Sequence, residues 1–351
     1  MYNIKDYAIN GLTFANNMLR QKHKKLTSLM IYATTRCNSK CKHCNIWQKE
    51  VEDLSLQEII NIMKSKCITK QTTIGLEGGE FLLHPNCDNI LQWFCNNHKN
   101  FTLLSNGLIP SKIIDVVKKY SPKRLYLSLD GKRESYKYMR GIDGYDKVIY
   151  LIESLHNQIP ISLMFCLSPF NAFEDMRHVI DIALKYNVDI RIGIYATISF
   201  FDTKNELLSC NKEKFVQSIP TNILKTEENF DFVKLYPIWR EKNLHINCHS
   251  IYSQLVIHAN GNVPLCQNLD ITLGNIRNTP LDKIFNSIQT INLHSQYCKS
   301  CNSCWINYHR KFDIILLRNL ERFLPKQIIE KFYGNYNWCN NKQLQYKDII
   351  K

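Results

Sequence analysis

The chain has 351 residues, 44% hydrophobic and 11% aromatic, enough apolar material for a sizeable core, which excludes a disordered protein. Its length exceeds that at which single cores stop growing, so a main domain with a smaller companion is expected. The net charge of +14 is spread along an Asn-, Lys- and Ile-rich sequence without an aromatic-basic module, which reads as composition bias and excludes a nucleic-acid partner.

No apolar run approaches a bilayer-spanning length of about eighteen residues, and Met1–Asp6 lacks the order of a signal peptide, so a cytoplasmic location is expected. Fourteen cysteines there argue for thiol ligands rather than disulfides. Eight form two arrays, while Cys67, Cys87, Cys95, Cys166, Cys210 and Cys339 are scattered and read as small packing residues.

Residues 1–28 read as an N-terminal helical extension, because Ile9, Leu12, Phe14, Met18 and Leu19 give Tyr7 to Lys25 an apolar face that would cover one end of the next domain. Residues 29–200 form that domain. Leu29–Ala33 is a buried strand running into a loop that carries Cys37, Cys41 and Cys44, with three and then two residues between the thiols. Three thiolates on one loop can hold three irons of a cubane cluster and leave the fourth open to a small molecule. The structural alternative is zinc with His43 as fourth ligand, although such zinc usually takes paired C-x-x-C units.

Ser55 and Glu58 form a capping box at the start of a helix over Leu54–Met63. Strands at 72–76, 101–104, 124–129, 161–167 and 189–194 then alternate with helices at 113–119, 145–156 and 176–186. With the first strand these make six strands, and alternation demands right-handed crossovers and a parallel sheet. Residues 201–244 are a linker with one bridging helix around Asn205–Glu213. Residues 245–310 hold the second array, in which Cys248 precedes an Asn260-Gly261 hairpin ending at Cys266, followed by Leu273-Gly274-Asn275-Ile276 and by Cys298, Cys301 and Cys304. Residues 311–351 are an amphipathic helical tail in which Arg318, Arg322, Lys326 and Lys331 leave peripheral membrane contact open beside ordinary packing.

The Cys37, Cys41 and Cys44 loop resembles that of the radical S-adenosylmethionine (radical SAM) enzymes, and the resemblance extends over about residues 29 to 310. It implies an α/β fold: a partial (β/α)6 TIM-type barrel with a small C-terminal cysteine-rich domain of β-hairpin and helix, and a [4Fe–4S] cluster on the three cysteines binding S-adenosylmethionine. Gly78-Gly79-Glu80 is similar to the family's GGE motif, which contacts the methionyl amino group. Ser105-Asn106-Gly107 is similar to its T-N-G turn, and an ordinary Asn-Gly turn reads the same. Ser128-Leu129-Asp130-Gly131 with Arg140-Gly141 is similar to its S-x-D-G and R-G pair, which implies Ser128 and Arg140 on the methionyl carboxylate; a solvated helix charge is the bland reading of Arg140. His43 holds the aromatic position that lies against adenine, or else faces solvent, and Ile190–Tyr195 would complete the adenine wall.

The second array resembles the SPASM auxiliary-cluster domain or its shortened form, twitch, but is compressed and offers five cysteines for four positions. One auxiliary [4Fe–4S] cluster on Cys248, Cys266 and two of Cys298, Cys301 and Cys304 is implied, with zinc as the structural alternative. The family's chemistry implies a 5′-deoxyadenosyl radical that takes a substrate hydrogen, with electrons from a donor such as flavodoxin or ferredoxin. The substrate is a peptide or protein side chain, or a sugar, nucleoside or lipid-linked intermediate. The missing peptide-recognition domain weakens the first of these, and the basic tail favours the lipid-linked one. A non-catalytic iron–sulfur or zinc binding protein is the alternative, although it leaves Gly78, Gly79, Ser128 and Arg140 in motif order unexplained. Gln267 stands where sulfatase-maturing relatives carry the aspartate that takes the substrate proton, so their base is not carried over.

Overall fold

The computed structural model describes residues 4–20, 23–195 and 230–334. After helix α1 (Ile4–Leu19), six strands alternate with helices: β1 (Ser28–Thr34), α2 (Leu56–Met63), β2 (Thr73–Gly78), α3 (Cys87–Asn97), β3 (Phe101–Ser105), α4 (Pro110–Tyr120) and β4 (Leu125–Ser128). Two helices, α5 (Arg133–Arg140) and α6 (Tyr145–Leu155), then precede β5 (Ile161–Leu167), α7 (Phe173–Lys185) and β6 (Asp189–Ile194). All pair in parallel, in one sheet ordered β6-β5-β4-β3-β2-β1-β7 that curls as a half-barrel. This is the parallel sheet that the alternation predicts and the partial TIM-type barrel that the resemblance implies.

Residue alternation sets its two faces. In β2, Ile74 and Leu76 are fully buried against the helices, whereas Gly75 and Glu77 face the lumen and are half-buried. Outside the sheet, α6 buries Val148, Leu151, Ile152 and Leu155, a one-sided stripe at i, i+3, i+4 and i+7. The Ser55–Glu58 capping box forms in both directions, with Ser55 N donating to Glu58 Oε2 at 2.7 Å and Glu58 N to Ser55 Oγ at 3.2 Å.

Strand β7 (Gln254–Ile257) pairs otherwise than the sequence predicts. The expected turn closes, with His258 N donating to the Asn262 carbonyl at 2.9 Å, but the strand before it lies parallel to β1, with Leu29 opposite Leu255 and Ile31 opposite Ile257. The segment after the turn is β8 (Asn262–Pro264), which pairs antiparallel with β9 (Thr272–Asn275). All four β7 residues are buried, and an apolar run of that kind suits the β1 edge, whose amides and carbonyls need a partner. The C-terminal cysteine segment therefore completes the barrel sheet.

Helix α1 ends at Leu19, six residues short of the expected Lys25. It docks on the turn before β7, where Asn17 Nδ2 donates to the carbonyls of Lys25 at 2.6 Å and Tyr252 at 3.1 Å. The bridging helix around Asn205–Glu213 lies outside the described residues. Beyond it run α8 (Phe230–Arg240), α9 (Leu281–Phe285), α10 (Ile288–Ser300), α11 (Asn307–Phe323) and α12 (Lys326–Tyr333). Helix α11 buries Ile314 and Leu317, and Arg318 is 4% exposed, paired with Asp231 at 3.1 Å and with Glu321. That arginine is committed to the fold rather than to a lipid surface. No helix among the described residues is long and apolar enough to cross a membrane.

Candidate active site and metal centres

The cysteine loop leaves β1 at its carboxyl end, where Thr34 Oγ1 donates to Asp53 Oδ1 at 2.5 Å and Arg36 pairs with Asp53 at 3.0 Å. It is held from the far side by the end of α5, because Lys40 N donates to the Arg140 carbonyl at 3.0 Å and Lys42 N to that of Met139 at 2.8 Å. Those carbonyls are ones a helix end leaves without partners. Two glycines permit the close approach. A side chain on Gly141 (φ +67°) would begin 2.5 Å from the Lys40 carbonyl oxygen, and one on Gly79 would begin 2.3 Å from that of Arg36 and 2.8 Å from Cys37 Cβ.

The three thiols are not crosslinked, and side-chain donors point at two of the sulfurs, Asn106 Nδ2 at 3.9 Å from Cys37 and Arg140 Nη1 at 3.6 Å from Cys41, while Ser39 Oγ, which donates to the Arg140 carbonyl at 3.0 Å, lies 3.1 Å from the Cys41 sulfur. Burial pushes the Cys37 thiol up to about 11 and Cys44 up to about 12, a cost that a bound metal removes by taking the thiolate. Arg140 is buried, and its Nε and Nη2 pair with Asp130, so the fork read from sequence is held by an internal carboxylate and Nη1 is the nitrogen turned to the cysteines. Asp130 in turn accepts from Cys166 N at 2.9 Å, fixing the end of β4 to β5. Ser128 closes β4.

Glu80 is fully buried and also engaged internally. Its carboxylate accepts from Ser105 Oγ at 3.0 Å and Asn106 N at 2.8 Å on one oxygen and Leu82 N at 3.4 Å on the other, which locks the Ser105-Asn106-Gly107 turn under the loop. Asn106 reaches Asn38 at 2.8 Å from there. His43 is a neutral imidazole, pushed down to about 4 by burial, with Nδ1 buried and unpartnered among the described residues.

Sequence reading missed Glu77. This lumen-facing carboxylate sits opposite Tyr32 in the β1–β2 ladder, one residue before the Gly78-Gly79 turn, and has no hydrogen bond or ion pair among the described residues. Burial raises it to about 8. A carboxylate inside a strand pattern reads as solvated face, so only the curled sheet reveals it. Gln267, next to Cys266, reaches the same lumen and donates through Nε2 to Tyr32 Oη at 2.6 Å.

In the C-terminal region a small, mostly apolar cavity is lined by Cys248, Cys266, Cys301 and Cys304, with Ile251, Leu265, Leu269 and His309. Cys298 is elsewhere: its thiol meets His249 and Tyr252. The five-cysteine set thus divides into four and one. Burial pushes Cys266 up to about 12 and raises Cys248 and Cys304. Of the scattered cysteines, Cys67 and Cys87 are buried in the core, Cys95 and Cys166 half-buried, and Cys210 and Cys339 lie outside the described residues.

Three sulfurs on one loop, and four sulfurs around an apolar cavity, suit iron–sulfur groups. The comparisons agree. Residues 31–183 match the radical SAM superfamily and residues 248–305 the SPASM iron–sulfur cluster-binding domain, so the chain belongs to the radical SAM superfamily, with a C-terminal auxiliary-cluster domain. Its cofactors are a [4Fe–4S] cluster that binds S-adenosylmethionine, S-adenosylmethionine itself and an auxiliary iron–sulfur cluster.

The antilisterial bacteriocin subtilosin biosynthesis protein AlbA of Bacillus subtilis is 25% identical over 79% of this chain and 68% of its own length. In fold, the chain is similar to Streptococcus suis SuiB bound to S-adenosylmethionine, with a TM-score of 0.59 and 15% identity over 80% of this chain and 70% of that one; SuiB is also solved with its precursor peptide SuiA. It is similar as well to anSMEcpe bound to AdoMet and the Kp18Cys peptide, with a TM-score of 0.55 and 16% identity over 81% and 88%.

Proposed function

We propose that this radical SAM enzyme oxidises a side chain of a peptide substrate held in the barrel lumen. The observation that carries the reading is the Gln267–Tyr32 hydrogen bond at 2.6 Å, by which the residue beside Cys266 touches the lumen wall next to the Cys37–Cys44 loop, so that both cysteine sites flank one space. The names of AlbA, of SuiB with its precursor peptide and of anSMEcpe with Kp18Cys support a peptide over a sugar or lipid-linked intermediate.

On this reading Cys37, Cys41 and Cys44 hold the cluster, and the Gly78-Gly79 backbone receives the methionyl amino group. Ser128 and the Nη1 side of Arg140 receive the carboxylate, and neutral His43 lies against adenine. Asp130, Glu80 and Asn106 position these groups rather than contact the cofactor. Bound there, cluster and S-adenosylmethionine would supply radical hydrogen-abstraction chemistry, with the electron from a flavodoxin- or ferredoxin-type donor. Glu77, which has no hydrogen bond or ion pair among the described residues, takes the proton that the substrate heteroatom gives up when it is ionised, a fraction that grows as pH rises towards about 8. Cys248, Cys266, Cys301 and Cys304 hold the centre that receives the remaining electron.

Anaerobically reconstituted, reduced protein is expected to form 5′-deoxyadenosine from S-adenosylmethionine, and the Cys37→Ala, Cys41→Ala, Cys44→Ala triple variant to form none. Equal product from both would end the radical reading. Co-expression with short peptides encoded beside the gene should yield a product lighter by two hydrogens, and unchanged peptide masses would move the substrate to another class.

A further inference from the structure

Beside the cysteines of the C-terminal cavity lies a buried charge whose hydrogen bonds all go to neutral groups. Arg310, near the start of α11, is completely buried and is the largest fully buried side chain among the described residues. Its three donor positions go to neutral oxygens: Nε to the Cys304 carbonyl at 3.0 Å, Nη1 to that of Ile246 at 2.6 Å and Nη2 to Asn302 Oδ1 at 3.2 Å. Among the described residues it makes no hydrogen bond to a carboxylate.

Asp313, one turn on, is fully buried as well, but its Oδ1 is taken by His249 through both backbone N at 2.9 Å and Nδ1 at 3.1 Å. The guanidinium is bonded to the backbone of one cavity cysteine, Cys304, and lies 6.0 Å from the Trp305 ring. Burial works to lower the Arg310 pKa, yet Cys304, Cys248, Asp313 and Cys301 together hold it up, so three of the four cavity cysteines lie within its field. A buried cation bonded only to neutral groups is costly, and Asp313, whose Oδ2 has no hydrogen-bond partner among the described residues, offsets it only through space, so a further negative charge on the cysteine side would stabilise it.

Resting on the reading of this cavity as the auxiliary-cluster site, we propose that Arg310 is the positioning residue that compensates the anionic cluster of Cys248, Cys266, Cys301 and Cys304 and raises its reduction potential, making it an electron acceptor. A fixed positive charge favours the reduced, more negative state of a neighbouring cluster, and in a dry site little screens it. The carbonyl bonds fix the guanidinium in place, so the charge cannot swing away when the cluster changes oxidation state. A raised potential suits this centre to the acceptor role that the proposed function gives it.

The test uses the Cys37→Ala, Cys41→Ala, Cys44→Ala background, which leaves the C-terminal cluster as the only one. Its potential is measured by an EPR-monitored redox titration, with Arg310→Lys and Arg310→Gln compared at low and high salt. Arg310→Gln is expected to disfavour reduction at least tenfold, a shift of at least about 59 mV to more negative potential for one electron, at either salt concentration. Arg310→Lys keeps the charge and should fall between the two. A potential unchanged in Arg310→Gln, or shifted equally by Lys and Gln, overturns the proposal.

If Arg310→Gln fails to take up iron, thermal melts of the metal-free proteins decide. An unchanged melting temperature supports a role towards the cluster, and a lowered one makes Arg310 a purely structural residue. A background protein without any iron overturns the cavity assignment and the proposal with it. The 5′-deoxyadenosine assay on the otherwise intact chain reports separately on the first site.

Discussion

The two cysteine sites of this chain use the same side chains to opposite ends. The loop after β1 keeps Cys37 and Cys44 half-buried, presents three sulfurs, and is backed by polar groups of Ser39, Asn106 and Arg140. The C-terminal cavity presents four sulfurs, walls them with Ile251, Leu265 and Leu269, and is backed by a fixed cation. Three ligands on an open loop leave a position for a small molecule, whereas four ligands in an apolar cavity leave none. On the proposed reading, one site is built for chemistry and the other for holding charge, with the substrate in the lumen between them.

The comparison can be broken most forcefully at the polar site. Arg140→Ala leaves Asp130, which is completely buried, without its cation, and is expected to destabilise the protein by about 3–5 kcal/mol in chemical denaturation. A milder double variant, Asp130→Asn with Arg140→Met, would show that the cost is the stranded charge rather than the packing. Next in size is Asn106→Ala, which removes acceptors and donors from Leu108 N at 3.0 Å and Asn38 at 2.8 Å and should cost about 1–3 kcal/mol. Its mark is a loss of iron from the loop while the C-terminal cluster stays.

The smallest effect sits on the tie between the regions, where Arg277 after β9 pairs with Glu58 of α2 at 2.6 Å. Burial acts to raise the Glu58 pKa, but hydrogen bonds from Arg277 and Ser55 outweigh it and the net shift is downward. A carboxylate lowered in the folded state contributes stability above its unfolded value, about 4.5, and loses it as pH falls through the folded value. Glu58→Gln should therefore cost about 0.2–1 kcal/mol near neutral pH, a range set by the pair's exposure. The difference from wild type should close on acidification below the ordinary carboxylate range. A difference that grows at low pH would contradict the assignment.

Local pattern carried the loop, the glycine turn, the Ser55 capping box and the alternation of strand and helix, because each depends on residues a few positions apart. Other features depend on pairing across the chain. Leu255–Ile257 reads equally as a hairpin arm or a sheet edge, and the unpaired side of β1 decides between them. Asp130 and Glu80 read as cofactor contacts, whereas the structure engages their oxygens internally with Arg140 and the Ser105-Asn106 turn. Cys298 has ligand spacing but lies on the face of α10 that meets His249 and Tyr252. Arg310 carries no signal in sequence at all, since an arginine in an amphipathic helix is ordinarily on the surface.

The central claim is the division of eight cysteines into three, four and one, and iron counting on single-site variants tests it most directly. Reconstituted wild type should bind about eight irons, four per cubane cluster, with no stoichiometric zinc. Cys304→Ala should fall to about four irons, and Cys298→Ala should keep about eight. Iron lost on replacing Cys298 but retained on replacing Cys301 or Cys304 would contradict the account.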